Sequence, residues 1–276
     1  MTPASPAADP PAPRRRKRPV GEVLASLRQP KVAVMAALGF SSGLPFMLIG
    51  NTFNYWLGDA HVDLAVVGFA SWVGLSLSFK FVFGAVADNV PLPLLGRLGR
   101  RRGWMLVAQA MVLCGLAGMA LNDPAHRLAA CVAFAVLASS GEALQDCAVD
   151  AWRIESAQSE AELDILTSAY SLAYRVAIIL TASVILYMAQ AIGWPRSYAI
   201  FAALVLVGVA GALFAREPLR AVAAAARARA RFDPRRALDA VVQPFLQFFG
   251  KLGWVALLVL AVVTTYHLCD YLRGPV

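Results

Sequence analysis

Charge is what this 276-residue chain has least of: Asp, Glu, Lys and Arg make up 15% of it, against 59% hydrophobic residues. Soluble domains carry about 25% charged and about 45–50% apolar residues. The shortage disfavours a soluble globular enzyme. The apolar excess excludes a disordered chain, which needs the opposite balance. Histidine is scarce too, with only His61, His126 and His267. No Ser/His/Asp or metal-ligand constellation can be assembled, and neither a metal nor a cofactor is expected. The four cysteines (Cys114, Cys131, Cys147 and Cys269) all lie in apolar runs without ligand spacing. They read as small buried hydrophobes rather than as a disulfide framework. A long polar–apolar alternation is also missing, which argues against a membrane barrel.

What the chain has in abundance is long apolar runs. A spanning helix needs roughly 20 mostly apolar residues. Seven stretches qualify, near 32–57, 64–87, 104–122, 128–151, 167–190, 197–215 and 254–273. The fold class is therefore an all-α polytopic membrane protein. Residues 1–25 form a Pro- and Ala-rich tail ending in a basic stretch, 26–215 a six-helix bundle, 216–253 a linker and 254–276 a further helix. The chain stops at Val276 as that helix closes. Six spans, a long basic loop and one more span read as one bundle plus the start of a truncated second.

The net charge of +8 is a topology signal. With the N-terminus in the cytoplasm, the inner segments 1–31, 88–103, 152–166 and 216–253 hold 20 Lys and Arg, and the outer loops hold 2. This is the positive-inside bias. The run Arg14-Arg15-Arg16-Lys17-Arg18 is then a cytoplasmic flank and requires no nucleic-acid partner. Phe245, Leu246, Phe248 and Phe249 in the linker suit a helix lying on the membrane surface.

Charges inside apolar spans are costly, about 2.5–3.5 kcal/mol each on insertion scales, and collect around protein interiors or watery cavities. Spans three and six have none and read as lipid-facing. Span two has Lys80, span five Arg175 and span seven Asp270. Span four has Glu142, Asp146 and Asp150, which a helix stacks on one face, with Gln145 beside them. Lys80, Glu142, Asp146 and Arg175 fall roughly 7–13 Å from the cytoplasmic ends of their helices at about 1.5 Å per residue. They form one charged layer, either a static ion-pair brace or a proton- and substrate-handling site. Proton coupling is assigned to Asp146, Glu142 and Asp270. Substrate contact is assigned to Lys80, Gln145, Arg175, Asn54 and Asn51.

In span one, Gly39–Pro45 (GFSSGLP) joins small residues to a proline that frees the carbonyl of Ser41. This suits close packing or a bend. Ser-Ser-Gly recurs at 139–141, as an inverted three-plus-three repeat would require of spans one and four. After span two, Asp88 ends a Gly-x-x-x-Asp segment, and Arg100 and Arg101 follow in a basic turn. These three residues, with Asp150, are candidates for a cytoplasmic gate.

These segments together resemble the AmpG-type muropeptide permeases of the major facilitator superfamily. The matching pieces are GFSSGLP, Phe79-Lys80-Phe81, Gly99–Trp104 (GRRRGW), QDCAVDAW at 145–152, Tyr174-Arg175, and Tyr266 to Asp270. The resemblance runs from about residue 25 to the end. Glu142 stands where the family carries a small or neutral residue, and His267 replaces a lysine. The resemblance implies proton-driven import of anhydro-muropeptides, GlcNAc–anhydroMurNAc with or without peptide, across the bacterial inner membrane for peptidoglycan recycling. It also implies that a second bundle is required for transport. Related families share the Gln-Asp…Asp-Trp pattern, so another solute such as an acetyl-CoA-like anion is the alternative, as is a non-transporting remnant. Asp146-x-x-x-Asp150 matches half of an intramembrane phosphotransferase motif, but the required Asp-x-x-Asp-Gly is absent. An enzyme is not expected.

Overall fold

The computed structural model describes residues 29–63, 80–90, 92 and 98–218, and parts of 246–265. Among the described residues every regular element is helical. Five helices are long and apolar enough to cross a membrane: Pro30–Asp59, Arg100–Leu121, Pro124–Ser156, Glu160–Ile192 and Trp194–Phe214. They correspond to spans one, three, four, five and six, and each helix runs beyond its apolar stretch at one end or both. Span two is described only from Lys80 to Asn89, and span seven only in part, with Trp254–Val259 helical. The 1–25 tail, most of the 216–253 linker and Asp270 lie outside the described residues.

Local chemistry explains where the helices begin. Pro30 occupies the first turn of α1 (Pro30–Ile49), where its missing N–H is no loss. Asp123 caps the long fourth helix, its carboxylate accepting from the Ala125 N–H at 3.0 Å. That N–H, with His126 alongside, holds the Asp123 carboxyl below its ordinary value. Ser159 caps α6 (Glu160–Ile179) by accepting from the Glu162 N–H, and Glu162 in turn accepts from the Gln158 N–H. Lys31 donates to Glu162 and to the carbonyl of Ser156, tying the start of span one to the four–five turn. Gly193, at φ +85°, makes the tight turn from span five to span six.

Small residues set the helix pairing. A side chain on Gly39 or Gly43 would run into the backbone carbonyl of Tyr170 or Tyr174, so spans one and five touch backbone to backbone. Gly115 and Gly141 do the same between spans three and four, while Gly208 and Gly211 let span six close on span one, where Cβ atoms would meet the side chains of Ser41 and Ala37. Span two packs on span four, and span three on span six. Exchanging spans one, two and three for four, five and six carries the one–five pair onto four–two, and the three–four pair onto six–one. The packing thus follows the inverted repeat. Spans three and six, expected to face lipid, are each about half buried, at 50% and 44% of their apolar windows. Among the five described spans, span five is the most open, at 17%. Absence of charge marked spans three and six as apolar but did not say against what they pack.

Two helices are irregular at the same level. Pro45, expected to serve close packing or a bend, is buried inside a helix that continues to Ile49. The interruption comes at Gly50 (φ −85°, ψ −112°), before α2 (Asn51–Asp59). Span five carries a π-helical turn at Leu180–Val184, ahead of α7 (Ile185–Ile192). Thr52 donates to the carbonyl of Thr181 at 3.0 Å, joining one irregularity to the other.

Candidate functional site

The fourth helix passes from a fully buried stretch, Gly141 to Gln145, to the half-buried Asp146 and the exposed Asp150. It therefore leads its acidic face from the bundle interior out into a cleft. Lys80 approaches from span two, and its Nζ donates to Asp146 Oδ2 at 2.6 Å. The Tyr170 hydroxyl, from span five, donates to Oδ1 at 3.1 Å. Both oxygens of Asp146 are thus held, one by a cation and one by a neutral donor, from two different helices. Glu142, 3% exposed, lies one turn deeper within electrostatic reach of Lys80 and Asp146. Gln145 is wholly buried: its Nε2 donates to Ser42 Oγ at 2.8 Å, and its Oε1 has no partner among the described residues.

Outside this ion pair opens a cleft of about 370 Å³, lined by Asp146, Asp150, Arg153, Tyr170, Ser171, Tyr174 and Arg175. Its size is in the range of about 300–1,000 Å³ usual for small-molecule sites. Arg153 donates to Asp150 at 2.8 Å, and its guanidinium lies over the Tyr170 ring, 5.5 Å from the centroid. Arg175 is exposed and has no ion-pair partner among the described residues. Of the layer read from the sequence, Asp146 and Arg175 line the cleft, Lys80 reaches it through Asp146, and Glu142 is sealed in the interior one turn deeper. Asn51 and Asn54 lie elsewhere. Asn51 is nine residues beyond Ser42, about 13 Å of helix rise away from that layer.

A second cluster closes the end of the bundle that carries the basic turn. Arg101, 5% exposed, donates to Asp88 at 2.6 Å and to Glu155 through both Nε and Nη2. Arg100 donates to the backbone carbonyl of Asp88 at 2.7 Å and lies 3.7 Å from Glu155. Glu217, at the end of span six, accepts from the backbone N–H groups of Arg101 and Arg102, capping the third helix. Arg102 reciprocates by donating to the carbonyls of Ala212 and Leu213, which end the sixth. Asp88, Arg100 and Arg101 therefore meet as the sequence grouped them, but with Glu155. Asp150 belongs to the cleft.

Sequence reasoning missed Tyr170, Arg153, Glu155 and Glu217. Tyr170 had a usable signal, being four residues before Tyr174 and so on the same helix face. Glu155 and Glu217 had none, because their partners are 54 or more residues away.

The sequence pattern of the Major Facilitator Superfamily matches residues 35–270. The chain belongs to this superfamily. It is 32% identical to the anhydromuropeptide permease of Escherichia coli (strain K12) over 250 residues, 90% of this chain and 48% of that protein. It is 33% identical to an uncharacterised protein of Haemophilus influenzae over 189 residues, 68% of this chain and 44% of that protein. An AmpG-named protein of Rickettsia conorii is 25% identical over 87% of this chain and 56% of its own length. The chain spans about half the length of the curated relatives it matches. Major facilitator membership makes it a multi-pass membrane protein of a transporter family.

Proposed function

We propose that this chain is part of a proton-coupled importer of anhydro-muropeptides. In this reading residues 26–215 form the first six-helix bundle, 216–253 a cytoplasmic linker and 254–276 the start of a second bundle that completes the transport path. The protein sits in the bacterial inner membrane with its N-terminus inside, as the distribution of Lys and Arg favours. The observation that carries the reading is the pairing of Lys80 with Asp146 beside an open cleft, in a chain similar over 90% of its length to an anhydromuropeptide permease.

The proposed mechanism follows from the two partners of Asp146. Ionised, Asp146 holds Lys80 and Tyr170, bridging spans two, four and five. A proton delivered to Asp146 cancels the attraction to Lys80, which frees span two to shift and leaves Lys80 to a substrate anion. On the cytoplasmic side, Asp88, Arg100, Arg101 and Glu155 form contacts that break when that end opens and re-form when it closes.

The test is uptake of labelled GlcNAc–anhydroMurNAc-peptide, by cells without their own permease, into which the full-length product of this gene is introduced. Uptake should collapse when the proton gradient is dissipated, and Asp146→Asn should abolish gradient-driven accumulation while retaining exchange. Uptake indifferent to the gradient rejects proton coupling. Uptake of an acyl-CoA in place of the muropeptide rejects the substrate.

A further inference from the structure

Span five presents two side chains to the cleft that nothing among the described residues engages. Ser171 and Arg175 both line it, both are exposed, and neither has a hydrogen-bond or ion-pair partner among the described residues. They are four residues apart, so they stand one turn from each other on the same helix face. Nearby hydroxyls of this helix are used differently. Thr167 and Ser168 donate back to the carbonyls of Leu163 and Asp164, and the Tyr170 hydroxyl donates to Asp146. The facing wall, from span four, is also committed. Asp146 is answered by Lys80 at 2.6 Å and Asp150 by Arg153 at 2.8 Å. Arg175 is thus the cation of the cleft left over among the described residues. A charge in a spanning helix collects where a partner or a watery cavity meets it.

We propose that Arg175, assisted by Ser171, receives a carboxylate of the solute and makes this cleft prefer an anionic solute to its neutral counterpart. The planar guanidinium offers parallel N–H donors that match the two oxygens of a carboxylate. The Ser171 hydroxyl adds one more donor from the same side. A carboxylate accepts from both and has no proton of its own to place, so it satisfies the pair better than a sugar hydroxyl does. Asp146 and Asp150 do not repel it strongly, because each already faces a cation. Lys80 is no rival receptor in this arrangement, since it is held by Asp146 and becomes available only when that carboxylate is neutralised. Arg175 therefore takes the anion first. The inference rests on the muropeptide reading above and adds to it the group of the solute that is recognised. The peptide-free disaccharide carries one charge, its lactyl carboxylate, and is the simplest probe.

The experiment compares uptake of GlcNAc–anhydroMurNAc with that of its lactyl amide into membrane vesicles holding the full-length product of this gene, with protein abundance quantified for each variant. The wild type should show a KM about tenfold lower for the acid than for the amide. Arg175→Gln should raise the KM for the acid about tenfold and leave that for the amide within about twofold, so that the preference disappears. Ser171→Ala should raise the KM for the acid about two- to threefold, and Arg175→Lys should keep only part of the preference, since it retains the charge without the fork. If Arg175→Gln fails to reach the membrane, these two milder variants decide, and both must narrow the preference. Equal uptake of acid and amide by the wild type overturns the proposal. So does an Arg175→Gln protein that loses both solutes equally, because Arg175 then serves a contact within the protein. Uptake of neither solute by the wild type is a different result: it rejects the muropeptide reading, and the carboxylate site falls with it.

Discussion

The two ends of this bundle are closed by different forces. At the end with the basic turn, Arg100 and Arg101 are gripped by Asp88 and Glu155, while Glu217 and Arg102 cap each other's helices. At the other end the seal is aromatic. Trp56 stacks on Trp194 at 6.2 Å and 13° and touches Tyr198 at 4.7 Å, and the Tyr198 hydroxyl donates to the carbonyl of Leu48. A charged group joins the aromatic seal, Trp194 Nε1 donating to Asp59 at 2.8 Å. Ion pairs are directional and can exchange partners with water, so they suit contacts that break and re-form. Aromatic packing is short-ranged and holds only while surfaces stay in register. The contrast teaches that a near-symmetric helix arrangement can be given two chemically distinct ends by a handful of loop-proximal residues.

The largest effects should come from removing the centre of either seal. Arg101→Ala leaves Asp88 and Glu155 without their main partner, and about 3–5 kcal/mol of stability should be lost. Trp56→Ala, at a residue 3% exposed, should cost about as much through lost packing. Thermal unfolding in detergent measures both. Raised salt should lessen the difference between wild type and Arg101→Ala but not that between wild type and Trp56→Ala. Equal salt responses would erase the contrast between the ends. Next in size, Gly43→Ala should cost about 1–3 kcal/mol by forcing spans one and five apart at the Tyr174 carbonyl. Since it strains neither seal, its effect should be independent of salt. A smaller loss, about 1 kcal/mol, is expected for Thr52→Val, which leaves the buried Thr181 carbonyl without its donor. Hydrogen exchange at Gly50 and Thr181 should rise together in that variant. Smallest is Trp194→Phe, which keeps a ring in the stack but drops the bond to Asp59. About 0.5 kcal/mol or less is expected at so exposed a site.

Much of the fold was legible in the sequence because a bilayer imposes a length and polarity rule on every span. Five predicted spans coincide with described helices. The four-residue spacing of Glu142, Asp146 and Asp150 did place them on one face, and the Gly-rich segment of span one did pack closely. Less of the cleft could be read. Glu142 and Asp146 look alike in sequence, yet one is sealed in the interior while the other meets Lys80 and Tyr170. Asn51 and Asn54 seemed fit for substrate contact by type, but helix rise carries them past the charged layer. Nothing in the composition of span one singled out Gly50, where the chain leaves helical geometry, over Pro45, which stays inside the helix.

By itself, then, the sequence determined the class of protein, the rise and fall of its helices and which charges must find company, because those follow from local composition and the solvation cost of charge. Only the tertiary structure decided which company they keep. Glu155 with Arg101, Glu217 on the third helix and Tyr170 on Asp146 depend on helices far apart in the chain being pressed together by glycine contacts. Pairing at such separation leaves no periodicity along the chain to read.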